Sequence, residues 1–520
     1  MSHMHRATTV PRRVAALLLV GALGTSGAAA QAAIDGPMTL ERVIATALSA
    51  SPSIRLSLWR ADIARGAVIA AGAPFDNVLA TDASMVQDHQ LSLTKPDDVG
   101  SVGTSILGTS SNHYSAGVSR RLRSGFVLTP QVGLVQRRVA GTPLAASSSA
   151  TLGLGVAIPL LRDRLGRVVR AGERAAEVSF TAESLEVSFT RAQTVYAVVV
   201  AYWRYVGAAA TRAALEDAEA RARQHVRETE VLIAADERAP ADLKQVTANL
   251  ATRRVASLAA RQTQLEAWRQ VVVTAGFPAT DAILAPPPAT DLPPLPAADD
   301  SLSGAALAAL VRDGLQQRSD VAAAQRRRMA ASIDAEAAAG TLRPRLDLVS
   351  TIGYAGLAPG GNRLLDPFGA QSARPNLSLG IQYQLPTRNL AARGTALQAE
   401  GVLRQSEIAE RDIARQVEAS VLVTAQGVTT RRAALREATL AVSLSRDALD
   451  NEMQRFRLAS STIFEVLQSQ DALTNALLNE VNARVAYATA IADVRFAAGG
   501  FGASGRNAAE RDAATAVTPP

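Results

Sequence analysis

Apolar residues recur along this chain at two different spacings. Val421, Val428, Leu435, Val442, Leu449 and Phe456 follow one another every seven residues, as do Phe189, Tyr196, Trp203 and Ala210. A sustained seven-residue repeat marks helices that pack lengthwise and supercoil. Ala, Ser and Thr at neighbouring seam positions allow close backbone approach. No proline occurs from Leu160 to Ala239 or from Thr387 to Thr518, so helices there can run unbroken. From Asn389 to Phe456 a continuous helix would be about 100 Å long.

The second spacing is two. LGLGVAIPL sets Leu152, Leu154, Val156 and Ile158 against Thr151, Gly153, Gly155 and Ala157, and LSLGIQYQL alternates in the same way from Leu377 to Leu385. RPRLDLVSTIGY (343–354) is its expected partner. HYSAGVSRR (113–121) and FVLTPQVGLVQR (126–137) alternate too, joined by the short turn Leu122 to Gly125. Six strands are expected, at about 78–90, 113–121, 126–137, 150–159, 344–354 and 376–385, with long polar loops at about 91–112 and 138–149. The first alternates poorly. Most have the roughly 9–11 residues that a tilted strand needs to cross a bilayer. Six are too few to close a barrel around a channel, and an open edge does not survive in lipid. The chain is therefore expected to complete its sheet with copies of itself.

The pattern also repeats by halves. Leu48 and Ile54 match Leu315 and Val321 at an offset of 267; LGLGVAIPLL (152–161) matches LSLGIQYQLP (377–386) at 225; Asp242 and Leu250 match Glu465 and Leu473 at 223. The falling offset places an insertion among the first-half strands, which the hairpin 113–137 accounts for. The organisation read from this is an export signal (1–30), a first repeat (38–278), a Pro-rich linker (279–300, containing LAPPPATDLPPLPAADD), a second repeat (301–500) and a disordered tail (501–520). Each long helix is interrupted once, at ERAPADLKQVTANL and at RFRLASSTIFEVLQSQDAL.

Composition narrows the chemistry. Arg6, Arg12 and Arg13 precede the apolar run VAALLLVGALG and the small-residue stretch GAAAQAA, an export signal with cleavage expected after Ala30. No later run is apolar enough for a spanning helix. With no cysteine, disulfides, thiolate metal sites and a lipid on an N-terminal cysteine are excluded. The net charge of +7 is spread along the chain and aromatics are only 4%, against the clustered basic patch that nucleic acid requires. His89, His113 and His225 match no metal-ligand spacing, and no phosphate-binding loop or cysteine nucleophile is present. No enzyme and no cofactor is expected.

The opening TLERVIATALSASPSI, its counterpart ALVRDGLQQRSDVAAAQRRRMAASIDAEAAAGTLRPRL, the strand-to-helix junctions and RFRLASSTIFEVLQSQDAL resemble the TolC family of outer-membrane efflux proteins over about residues 38–500. The resemblance implies a mainly α fold with a transmembrane β-barrel portion: long antiparallel helical hairpins form a periplasmic tunnel, and each protomer of a homotrimer contributes barrel strands. It implies eighteen strands in the trimer if the inserted hairpin joins the wall, and twelve if it does not. It also implies a passive outer-membrane duct working with a periplasmic membrane-fusion adaptor and an inner-membrane transporter of RND, ABC or MFS type. Small-molecule efflux is the leading use; an exit duct for a type I secreted protein and a periplasmic coiled-coil scaffold without a pore are the alternatives. The two interruptions become the turns of the periplasmic end. Arg238, Ala239 and Pro240, with Leu458, Ala459, Ser460 and Ser461, are then adaptor-docking turns, and Glu465, Gln468 and Asp242 form the periplasmic gate. The family's usual glycine is Ala459 here, which implies a turn less tight or shifted by a residue. Its second acidic residue, found in some members, is Gln468 here, which implies a gate held less by paired charge. Glu465 has two readings: one carboxylate of a three-fold ring at the entrance, or a cap for the returning helix behind Ser461 or Thr462.

Overall fold

The computed structural model describes residues 36–94, 103–140, 146–295, 304–360, 365–369, 374–458, 460–502 and 507–518. The expected export signal (1–30) lies outside them, as do residues 296–300 of the Pro-rich segment. Among the described residues no helix is long and apolar enough to cross a membrane.

Two short helices, α1 (Leu40–Ala50) and α2 (Pro52–Ala71), come first among the described residues. Thr39 caps α1, its hydroxyl accepting from Arg42 N at 3.3 Å, and Pro52 starts α2, where a missing N–H costs nothing. Four strands follow: β1 (Asn77–Thr94), β2 (Gly103–Arg121), β3 (Val127–Val139) and β4 (Ala146–Pro159). The chain then enters α3 (Arg167–Ala234), turns, and returns as α4 (Pro240–Ala275). The second half brings α5 (Gly304–Gln317), α6 (Ser319–Gly340), β5 (Arg345–Pro359), a single turn α7 (Asp366–Gly369), β6 (Arg374–Gln384), α8 (Leu390–Arg457) and α9 (Ile463–Ala497). The long helices α3 and α8 are each 68 residues.

All six strands form one antiparallel sheet in the order β1-β2-β3-β4-β5-β6, so the inserted hairpin is part of it. Two expected loops are corrected. β1 runs on to Thr94 and pairs with a β2 that begins at Gly103, while β3 reaches Val139 and β4 begins at Ala146. Residues 91–94, 103–112, 138–139 and 146–149 are therefore strand, because each polar stretch has a paired partner to bond with. The register aligns the apolar faces across strands. Leu154 lies opposite Ile352 and Ile352 opposite Leu377; Leu152 lies opposite Tyr354; Val156 lies opposite Leu128; Leu79 lies opposite Val118. The other face carries Gly155, Thr351 and Ser378 in one row and Ala157, Val349 and Gly380 in the next. A slip of one residue would interchange the two faces.

The helical part has a girdle core. Leu40, Val43 and Ile44 of α1 are buried against Tyr202, Trp203 and Tyr205 of α3 and Trp268, Val271 and Val272 of α4. The Pro-rich segment belongs to this core. Met38 bridges to Pro288 in parallel, with Met38 N donating to Pro287 O and Ala289 N to Met38 O, both at 2.9 Å. Tyr202 Oη donates to Met38 O at 2.7 Å. The seven-residue series of α8 is likewise inside: Val421, Val428, Leu435, Val442 and Leu449 are buried, several of them against Val466, Leu473, Ile491 and Val494 of α9. Gly207 lets α3 approach α9 closely, since a Cβ there would overlap Val485. The tail is a second correction. Residues 508–517, expected to be disordered, form α10 (Ala508–Val517), which buries Ala508, Asp512 and Ala516 against the girdle. Small residues at four-residue spacing suffice for that contact and carry little hydrophobic signal.

Strand becomes helix through a bend with left-handed backbone at Asp163, Leu165 and Gly166. Asp163 Oδ1 accepts from Val168 N at 2.8 Å and Val169 N at 3.1 Å, supplying the cap for α3. The β2–β3 turn packs onto the bend so closely that a Cβ on Gly166, at φ +67°, would overlap Arg123 O. Gly166→Ala is expected to cost about 2 kcal/mol or more from strain and overlap together, seen as a lowered midpoint of thermal or denaturant unfolding.

Candidate functional site

The two interruptions fold as neighbouring turns at the ends of the long helices remote from the sheet. In the first, Ala235 N donates to Val231 O, Asp236 N to Ile233 O and Glu237 N to Leu232 O, with Asp236 at φ 64°. Asp is one of the few residues that tolerate this geometry. Pro240 then begins α4, and Asp242, in its first turn, suits the positive end of the helix dipole. In the second turn Leu458 N donates to Gln454 O and Ser460 N to Arg455 O, ending α8 behind Arg455 and Arg457. Thr462 is the N-cap of α9. Ala459 lies outside the described residues.

Glu465 sits in a complete capping box. Its own N donates to Thr462 Oγ1 at 3.4 Å, while its Oε2 accepts from Thr462 N at 2.8 Å, Ser461 Oγ at 2.8 Å and Thr462 Oγ1 at 3.2 Å. The backbone donor of Thr462, then the two hydroxyls, hold the Glu465 carboxyl below its ordinary range, with a smaller contribution from Arg455. Both charged and capping characters thus reside in one side chain. Gln468, one helical turn on, is exposed. Among the described residues no hydrogen bond or ion pair joins Asp242 to Glu465.

The seven-residue spacing ends at Phe456, whose partner was not legible in the sequence. Arg238 places its guanidinium 4.4 Å from the centre of the Phe456 ring, so one turn clasps the other. Behind that contact Val246, Ile463 and Leu467 are buried together, with Val226 and Leu243 beside them. Further along, His225 of α3 contacts Gln470 of α9, and Arg253 of α4 is ion-paired with Asp471 of α9. Ser461 also meets Glu452, which Arg455 engages at 3.0 Å. Of the expected docking residues, Arg238 is half-buried by its clasp, while Ala239, Pro240, Leu458 and Ser460 are exposed. Leu458 is 79% exposed. Among the described residues no group of His, Asp or Glu is arranged to hold a metal ion.

No protein-family model and no curated relative matches the chain. Solved structures do. The outer-membrane channel OprN is 18% identical, with a TM-score of 0.65, covering 89% of this chain and 90% of that one. The CmeC outer-membrane channel of Campylobacter jejuni is 15% identical, with a TM-score of 0.64, covering 89% of this chain and 85% of that one. The outer-membrane protein VceC of Vibrio cholerae is 18% identical, with a TM-score of 0.62, covering 88% of this chain and 96% of that one. The chain therefore shares the fold of these outer-membrane channel proteins, the fold that the TolC resemblance implied.

Thr462→Ala is expected to cost about 1 kcal/mol of local stability at the start of α9, read as faster amide hydrogen exchange over residues 463–466. The Glu465 bonds depend on the ionised carboxylate, whose pKa lies below that of the unfolded chain. Their contribution is present above the ordinary carboxylate range and is lost as pH falls through the lowered value. The protection difference between wild type and Glu465→Gln should therefore hold from neutral pH down to mildly acidic pH and vanish in stronger acid.

Proposed function

We propose that this chain forms a homotrimeric outer-membrane duct that passively exports small molecules handed over by a periplasmic adaptor and an inner-membrane transporter. The observation that carries the reading is the sheet. Its apolar face is bare: Leu377, Leu379, Ile381 and Tyr383 of β6 are between 58% and 74% exposed, and Ile352 and Tyr354 of β5 are exposed as well. Such a band is tolerable against lipid and costly against water. Among the described residues both edges, β1 and β6, lack a second strand neighbour, which lipid does not permit.

A second copy satisfies both demands. The upper helices pack in the order α2, α3, α6, α8, the same sense as β1 to β6. The outermost elements are thus α2 with β1 on one flank and α8 with β6 on the other. Both flanking helices carry exposed apolar stripes, Leu56, Trp59 and Ile63 on α2 and Leu390, Leu397 and Ile408 on α8. Joining the flanks of three copies in a ring would close an eighteen-stranded barrel over a continuous helical tunnel. The clasped turns then form its periplasmic end, where the exposed Ala239, Pro240, Leu458 and Ser460 face the adaptor. Glu465 repeats three times around the mouth, beside Gln468 and Asp242, and favours cations. The duct has no catalytic role and takes its energy from the transporter.

Protein extracted from outer membranes is expected to run as heat-modifiable trimers and to give single-channel currents in planar bilayers. Glu465→Ala should raise conductance or weaken block by multivalent cations. A water-soluble single chain without conductance would overturn the reading; unchanged conductance and block in the variant would leave Glu465 as a cap alone.

A further inference from the structure

Between the start of α3 and the end of α6 lies a cavity of about 820 Å³, within the size range of small-molecule sites. Arg164, Arg167, Arg170, Arg174 and Arg343 line it, against only two acids, Asp163 and Glu336. Asp163 is already engaged by the amides of Val168 and Val169. Among the described residues, Arg164, Arg167, Arg174 and Arg343 have no carboxylate partner. Arg170 donates from Nη2 to Leu165 O at 3.1 Å, while its Nε is shielded from solvent and has no hydrogen-bond partner. Glu173, whose charge Arg170 feels, is held at both oxygens by Arg123. Arg164, Arg167, Arg174 and Arg343 are exposed, so an anion entering the concavity meets unneutralised guanidinium from several sides, together with the shielded, unsatisfied Arg170 Nε.

The surroundings narrow the anion's chemistry. Leu161 and Leu165 at the rim are 44% and 57% exposed, and Leu342 beside Arg343 is 41% exposed. They lie just past the end of the β4–β5 ladder, where Leu160 N still donates to Leu346 O at 2.8 Å. Cations behind a fringe of exposed leucines, where a sheet leaves lipid, match a phosphate head with acyl chains attached. Guanidinium groups bind phosphate oxygens in pairs, with geometry that a single ammonium lacks.

We propose that this cavity seats the phosphodiester of an anionic phospholipid from the periplasmic leaflet of the outer membrane. The inference rests on the membrane placement proposed above. Occupancy would fix the junction between sheet and helices from the lipid side, with Arg170 Nε among the donors.

Full-length protein in detergent, equilibrated with equal amounts of phosphatidylglycerol and phosphatidylcholine, tests this by native mass spectrometry. Phosphatidylglycerol is expected to be retained about tenfold in preference, a factor equivalent to about 1.4 kcal/mol. The preference should disappear in Arg167→Gln/Arg343→Gln and persist in Arg411→Gln/Arg446→Gln, an equal change of charge at exposed positions of α8. Equal retention of the two lipids, or a preference untouched by the double variant, would overturn the site. Inorganic phosphate that displaces the lipid completely would overturn the lipid as its source. Single-channel recording of the same preparations separates the two readings: conducting trimers without lipid preference sink this site alone, whereas a non-conducting monomer sinks the duct and the site with it.

Discussion

Unpaired peptide groups along β1 and β6 set the terms for the rest of this molecule. A buried backbone donor or acceptor without a partner costs several times what an average hydrogen bond contributes, and lipid offers no substitute. The chain leaves two such rows at opposite ends of one sheet, and it leaves the adjoining faces of α2 and α8 apolar and bare. In the proposed ring each unfinished edge is another copy's missing neighbour, so assembly and membrane insertion become one energetic problem.

The helical half solves a different problem, which is length. Helices as long as α3 and α8 cannot wrap around a globular core, so they are stabilised by a narrow seam repeated many times. The buried series from Val421 to Leu449 is one such seam, and Gly207 of α3 against Val485 of α9 shows how closely the long helices approach at another. A seam of this kind holds parallel elements together but does little to stop them sliding. Lateral fixing falls to larger groups at two levels: the Trp203 and Trp268 girdle near the middle, and the Arg238–Phe456 clasp with its buried cluster at the far end.

What could be read from the sequence follows from which signals are local. The seven-residue and two-residue spacings are local, and they placed the long helices and the centres of five strands well. The T-x-x-E arrangement of Thr462 and Glu465 is local too, and the capping reading emerges as a full set of bonds. Strand ends were not legible, because Ser110, Ser111 and Asn112 become strand only through partners supplied by β1 and β3. The clasp joins residues more than two hundred positions apart, and neither Arg238 nor Phe456 advertises the other. The tail was misread because α10 buries mainly alanines.

That tail helix ties distant parts of the sequence to one level of the molecule. α10 lies against α1 and the Trp203 girdle, joining residues more than 450 positions apart. Stripping it away would bare one flank of α1 while leaving the long seams of α8 and α9 in contact.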